Sequence, residues 1–168
     1  MAIRCPRLYD EVMHPNVIDD PRAIEDLLAR THRIAVLGIK TEAQPEQPAF
    51  NVPRFLVESG YDVVPVPVYY PKVTTILGRP VYRKVADVPG PIDMVDVFRR
   101  PEDLMPHLED LLAAKPASVW LQQGIHDDVF AERLAERGIL VVQDRCIMTE
   151  LRLRAALRRR ALREDASR

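Results

Sequence analysis

The sequence predicts a doubly wound α/β domain, a parallel sheet with helices on both faces. Three observations predict it. Short apolar segments rich in Val, Ile and Leu recur without strict alternation, the pattern of strands covered on both sides. Helical patterns separate them. The first apolar run, Ile34-Ala35-Val36-Leu37, empties through Gly38 into a polar, proline-punctuated loop that opens a helix. Alternation of this kind closes into one sheet through right-handed crossovers.

Each element has its own local reason. Residues 1–19 read as an extended arm, and Pro21 to Arg30 as a helix capped by Asp20. Arg33 to Gly38 is the first strand. The next helix is expected to be capped by Asn51, with Pro53 in its tolerant first turn, Val52, Phe55 and Leu56 on one face and Gly60 just past its end. In the second strand, Asp62 to Val68, Pro65 and Pro67 have no amide to donate, so regular pairing should stop near Val66. From there to Pro91 the residues predict an irregular crossing with one helical turn. The third strand, Met94 to Phe98, exits through Arg99-Arg100-Pro101 straight into a helix striped by Leu104, Leu108, Leu111 and Leu112. Ser118 to Gln122 is the fourth strand. Asp127 and Asp128 start the helix after it, Phe130 and Leu134 face inward, and Gly138 stops it. Leu140 to Gln143 completes a five-stranded sheet of expected order 3-2-1-4-5, followed by a helix over Thr149–Arg163. The domain proper spans 20–151, leaving 152–168 as a basic helix and tail.

Composition narrows the function classes. A chain of 168 residues fits one domain with a real core. Its 24 Lys and Arg against 25 Asp and Glu give no field for nucleic acid or anionic membrane. Two cysteines at opposite ends, Cys5 and Cys146, lack metal-type spacing and suit a reducing compartment. No metal site is expected. The N-terminus lacks the apolar core of a signal peptide, so the expected location is cytoplasmic.

Ligands of doubly wound sheets sit beyond the carboxyl ends of the strands, where strand order reverses. In a 3-2-1-4-5 order that crevice lies between the first and fourth strands, which end in Gly38 and Gly124. Glycine allows close backbone approach, and the first turn of the following helix offers amides to an anion. The end of the second strand carries no carboxylate for ribose hydroxyls. Lys72 stands there instead, suited to an extra phosphate as in NADP or the 3′-phosphate of coenzyme A. Arg99 and Arg100 beside a helix start either await an anion or pair with Asp96, Glu102 or Asp103. Cys146 and His126 are the candidate catalysts, each with a plainer reading as a buried thiol and a surface cap, so no catalytic residue is assigned. The arginines of the last helix read as a solvated face.

The segments IAVLGIK, GYDVVPV, ILGRPVY, DMVDVFRRPED, VWLQQGI and VVQDRC together resemble the small coenzyme A-binding domain family, similar to the N-terminal domain of the succinyl-CoA synthetase alpha subunit. The resemblance covers about residues 20 to 151. It implies a Rossmann-like fold that binds a small molecule, coenzyme A or an acyl-CoA with NADP the less favoured cofactor, without catalysis of its own; the alternatives are an NADP-dependent or acyl-CoA-processing enzyme, and a ligand-free interaction domain that works through its last helix or as a homodimer. Matched residue by residue, it implies contacts from Gly38, Ile39, Lys40, Asn51 and Val52. Val66 and Val68 would line the adenosine side, with Phe98, Arg99 and Arg100 at the third strand's exit and Gln122, Gly124 and Ile125 at the fourth's. Gln47 and Ala49 stand where the family usually has arginine and serine, a loss of phosphate partners that Lys40 and Lys72 would offset. The phosphorylated histidine of the alpha-subunit relatives lies in a further domain that these residues do not match.

Overall fold

The computed structural model describes residues 12–167. Most of the expected arm, with Cys5, lies outside the described residues. The arm's remaining part runs along the sheet: Val17 forms a parallel bridge with Val141, and Ile18 N–H donates to the Val141 carbonyl at 2.8 Å.

Helix α1 (Pro21–Arg30) starts as its sequence dictates. Asp20 accepts from the amides of Arg22 and Ala23, at 2.9 and 3.2 Å, and Pro21 fills the first turn. Replacing this cap, Asp20→Ala, is expected to lower stability by about 1 kcal/mol in a denaturant titration. An unchanged midpoint would show that packing of Ile24, Leu27 and Leu28 alone holds the helix.

The main sheet has five parallel strands: β1 (Arg33–Leu37), β2 (Asp62–Val66), β5 (Met94–Val97), β6 (Ser118–Leu121) and β7 (Leu140–Val142), in the order β2-β1-β5-β6-β7. Outside β2, two short strands, β3 (Thr75–Ile76) and β4 (Arg79–Pro80), form an antiparallel hairpin. Tyr82 N–H donates to the Pro65 carbonyl at 3.0 Å, so this hairpin segment occupies the position beyond β2. With the hairpin as its third member the layout follows the 3-2-1-4-5 pattern. The segment expected as third strand, Met94–Val97, instead lies beside β1 in the register Ile34↔Met94 to Leu37↔Val97. All four β5 residues are buried, which requires neighbours on both flanks, whereas Pro65 suits β2 to the edge. Strand order therefore reverses between β1 and β5, and β5 separates the strands that lead to Gly38 and Gly124.

Successive side chains enter opposite cores, which is why the five strands of the main sheet read as mostly apolar without strict alternation. Leu37, Val66, Val97 and Leu121 pack against α3 (Leu108–Ala114) and α4 (Asp128–Ala135). Ile34, Val36, Met94 and Trp120 pack against α1, α2 (Pro48–Glu58) and the start of α5 (Ile147–Ala166). Pairing in β2 ends at Val66, the single helical turn of the crossing lies at Val85–Asp87, and Asp127 caps α4 by accepting from Phe130 N–H at 3.0 Å. The hairpin is the part of the crossing that the residues did not announce. Its turn places both Leu77 and Gly78 at positive φ, the pair that a two-residue type I′ turn requires.

Three helix boundaries depart from expectation. Helix α2 begins at Pro48 with Gln47 as its cap, so Asn51 lies inside the helix rather than capping it. Pro53 then sits mid-helix and cannot donate to Ala49. The freed Ala49 carbonyl accepts from Lys40 N–H at 3.0 Å, so the loop after β1 is tied to the helix by the very bond proline removes. Pro101 leads into two short 3₁₀ turns, Pro101–Asp103 and Met105–His107, and the α-helix starts only at Leu108, because Pro106 disfavours helical backbone before it. Helix α5 is longer than expected at both ends. Among the described residues no helix is long and apolar enough to cross a membrane.

Candidate functional site

The carboxyl edge of the sheet gathers the exits of β1, β5 and β6. Gly38 turns the chain out of β1 at φ +86°, with its N–H on the Val66 carbonyl at 2.9 Å, while Phe98 N–H returns to the Leu37 carbonyl at 2.9 Å. A Cβ at Gly38 would lie 2.4 Å from the Phe98 carbonyl oxygen and 3.1 Å from Arg99 Cδ. The close approach that glycine permits here is to the protein's own third exit. That differs from the expected approach to a ligand.

The loop after Gly38 is largely engaged with itself. Ile39 is buried in the α2-side core. Thr41 donates to Gln44 Oε1 from both its amide and its hydroxyl, at 3.2 and 3.0 Å, and Glu42 accepts from Leu77 N–H at 2.7 Å. At the start of α2, Pro48 has no amide, and Phe50 and Asn51 both donate to the Gln47 carbonyl. Ala49 N–H is the amide that this turn leaves for an anion.

Beyond β5 and β6, between the starts of α2 and α5, lies a cleft of about 320 Å³. Asn51, Val52, Phe98, Gln122 and Ile125 line it, with Pro48, Cys146 and Met148. Five of the contacts that the resemblance implies thus meet in one cavity, together with the candidate thiol Cys146. Its floor is polar: Gln122 Nε2 donates to Asp96 Oδ1 at 2.6 Å, both residues being buried. Asp96 Oδ2 has no partner. Burial pushes this carboxyl up to about 7, opposed by the hydrogen bonds from Gln122 and the Val97 amide.

Arg99 occupies the neighbouring exit. Its side chain is 13% exposed, and its guanidinium lies 5.5 Å from the Tyr69 ring centroid and 3.6 Å from Asp103. Its Nε is buried without an acceptor. Burial and the Arg99 charge together hold the neighbouring His107 below its ordinary range. Arg100 points outward and pairs with Asp103 at 2.9 Å and Glu102 at 3.4 Å, so the ion-pair reading holds for it. Since a 3₁₀ turn follows rather than a helix, no helix pole opposes these arginines.

Other expected contacts lie apart from the cleft. Val66 is buried in the opposite core and Val68 packs partly against it. Lys72 is exposed on the loop after β2. Gly124 is exposed at φ +84°, but its N–H already donates to Asp144 Oδ1 at 2.6 Å. Sequence reasoning passed over Asp96 as the buried partner beneath the cleft residue Gln122, Tyr69 as the cover of Arg99, and Met148. Asp96 was detectable as the one acid within an otherwise apolar strand; Met148 and Tyr69 had no local signal.

A family model described as CoA binding domain matches residues 32–152. An uncharacterized Bacillus subtilis (strain 168) protein, YneT, is 33% identical over 124 residues, covering 74% of this chain and 88% of its own. Among solved structures, cell-free ID.343 from Thermus thermophilus is 40% identical with a TM-score of 0.72, over 80% of this chain and 98% of that one. A hypothetical protein from Pyrococcus horikoshii OT3 is 32% identical with a TM-score of 0.71, over 84% and 96%.

Proposed function

Since the chain belongs to the CoA-binding domain family, we propose that its carboxyl-edge cleft binds coenzyme A or an acyl-CoA and holds it without catalysis of its own. The observation that carries this reading is the convergence of Asn51, Val52, Phe98, Gln122 and Ile125 on one cleft, with Arg99 following Phe98 at the exit of β5. Arg99, with a buried nitrogen lacking an acceptor, supplies the cation for a phosphate, and Ala49 N–H supplies a backbone donor. The apolar and amide walls suit pantetheine, whose chain alternates methylenes with amides. Because its Nε2 is committed to Asp96, Gln122 turns its carbonyl oxygen into an acceptor for an amide N–H. The residues that follow β2, Pro67 to Lys72, include no acid for the ribose hydroxyls of NAD. The cleft lining holds a single carboxylate, Glu46, and no histidine, short of an acid–base pair.

Calorimetric titration tests the assignment. Coenzyme A is expected to bind, 3′-dephospho-CoA more weakly, and Asn51→Trp, which fills the cleft, to abolish binding while leaving the thermal midpoint within about 3 °C. Failure of both ligands to bind at millimolar concentration, or equal binding by Asn51→Trp, overturns it.

A further inference from the structure

A second cavity lies at the opposite edge of the sheet, outside the start of β1 and β2. It has a volume of about 800 Å³ and is bounded by the end of α1, the turn Ser59-Gly60-Tyr61 and α5. The face that α5 presents to it is cationic, with Arg152, Arg154, Arg158 and Arg159 all in the lining. Arg160, outside the lining, is neutralised by Glu164 at 2.9 Å. Arg158 and Arg159 have no ion-pair partner among the described residues, and Arg154 reaches Glu25 only at 3.9 Å. Arg154 Nε is buried with no hydrogen-bond acceptor, and the side chain is 13% exposed. Clustered guanidiniums repel one another, and a buried donor without an acceptor costs free energy that a bound anion would recover.

The rest of the lining identifies the kind of anion. Leu28, Phe55, Leu151 and Ala155 form an apolar wall, and the Arg152 guanidinium lies over Phe55 at 5.1 Å, which gives this side of the cavity a flat, delocalised surface. Burial raises the Tyr61 hydroxyl above its ordinary range against the pull of Arg154 and Arg158, so it stays a neutral donor. Several convergent guanidiniums select phosphoryl oxygens through paired donors. The volume, about 800 Å³, is that of a small-molecule site. Arg154, Arg158 and Arg159 lie beyond residue 152, where the family match ends, so this is a feature of this chain rather than of the family segment. The geometry points to a second binding site, formed by α1, the Ser59–Tyr61 turn and α5, for a nucleoside triphosphate, whose free-ended phosphate chain can enter the guanidinium cluster as the doubly esterified diphosphate of coenzyme A cannot.

The test uses the full chain carrying Asn51→Trp, so that the carboxyl-edge cleft contributes nothing. ATP is titrated calorimetrically, with tripolyphosphate as the body-free comparison. ATP is expected to bind at one site, several-fold tighter than tripolyphosphate, and Arg158→Ala with Arg159→Ala to weaken it by about tenfold or more. Both arginines are exposed, so the double variant is expected to keep its thermal midpoint. Absence of ATP binding overturns the site, as does ATP binding that survives the double substitution. Equal affinity for tripolyphosphate overturns the role of the apolar wall. In the otherwise unchanged chain the double variant is expected to bind coenzyme A as before, which separates this site from the cleft.

Discussion

Replacing Gly38 by alanine is expected to destabilise the protein by about 2–5 kcal/mol, the largest loss available from adding one carbon atom. Two costs combine. The residue holds φ +86°, a region that L side chains adopt only with strain, and the new Cβ would meet the Phe98 carbonyl oxygen at 2.4 Å. That neighbour is backbone, pinned by the Phe98 N–H bond to Leu37, so it has no rotamer with which to yield. Relief requires β1 and β5 to part at the end where the cleft opens, and ligand affinity is expected to fall together with stability. Gly124→Ala is the control, since its φ is +84° but nothing lies within 4 Å of the added carbon. It carries the backbone cost alone, about 1–2 kcal/mol. Equal midpoints for the two variants in a denaturant titration would show that the contact with Phe98 relaxes freely.

Stability is expected to fall as pH rises from about 4 to 7, and Asp96→Asn to remove that fall. The folded carboxyl titrates at about 7 against an ordinary 3.8, chiefly because burial disfavours its charge. The sign follows from proton uptake: between these values the folded chain holds a proton that the unfolded chain has released, so raising the pH favours unfolding. Below about 4 both states are protonated and the residue is neutral in effect; above 7 the full penalty of about 4 kcal/mol is present. Asparagine keeps an oxygen for Gln122 Nε2 and carries no charge to bury. Its own amide then lacks an acceptor at the Oδ2 position, which returns part of the gain. The net expectation is a gain of about 1–3 kcal/mol at pH 8 and none at pH 4, read from denaturant midpoints at both. Parallel pH dependences for the two proteins would show that water or a rearranged Gln122 solvates the carboxylate.

These two residues also mark how far the chain's own residues disclose its structure. Gly38 was legible, because an apolar run ending in glycine before a polar loop describes a strand, a turn and a helix through local chemistry alone. The same holds for Asp20 and Asp127, whose side chains cap helices within three residues of themselves. Continuous Val and Ile in each strand required a sheet covered on both faces. The family resemblance was legible too, through motifs spread along the sheet's carboxyl edge, and five of its implied contacts meet in one cleft.

What the residues could not declare is what depends on distant partners. The place of Met94–Val97 beside β1 is settled by burial on both flanks, a property of the assembled sheet. The start of α2 at Pro48 rests on Lys40 N–H reaching the carbonyl that Pro53 leaves open, a bond between two elements. Asp96 came to support the cleft only once Gln122, 26 positions later, was folded against it, and the arginines of α5 gained a common cavity only where α1 and Tyr61 closed it. Local order follows from dihedral preference and hydrogen bonds within a few residues. Sites follow from which faces the core leaves no room to hide.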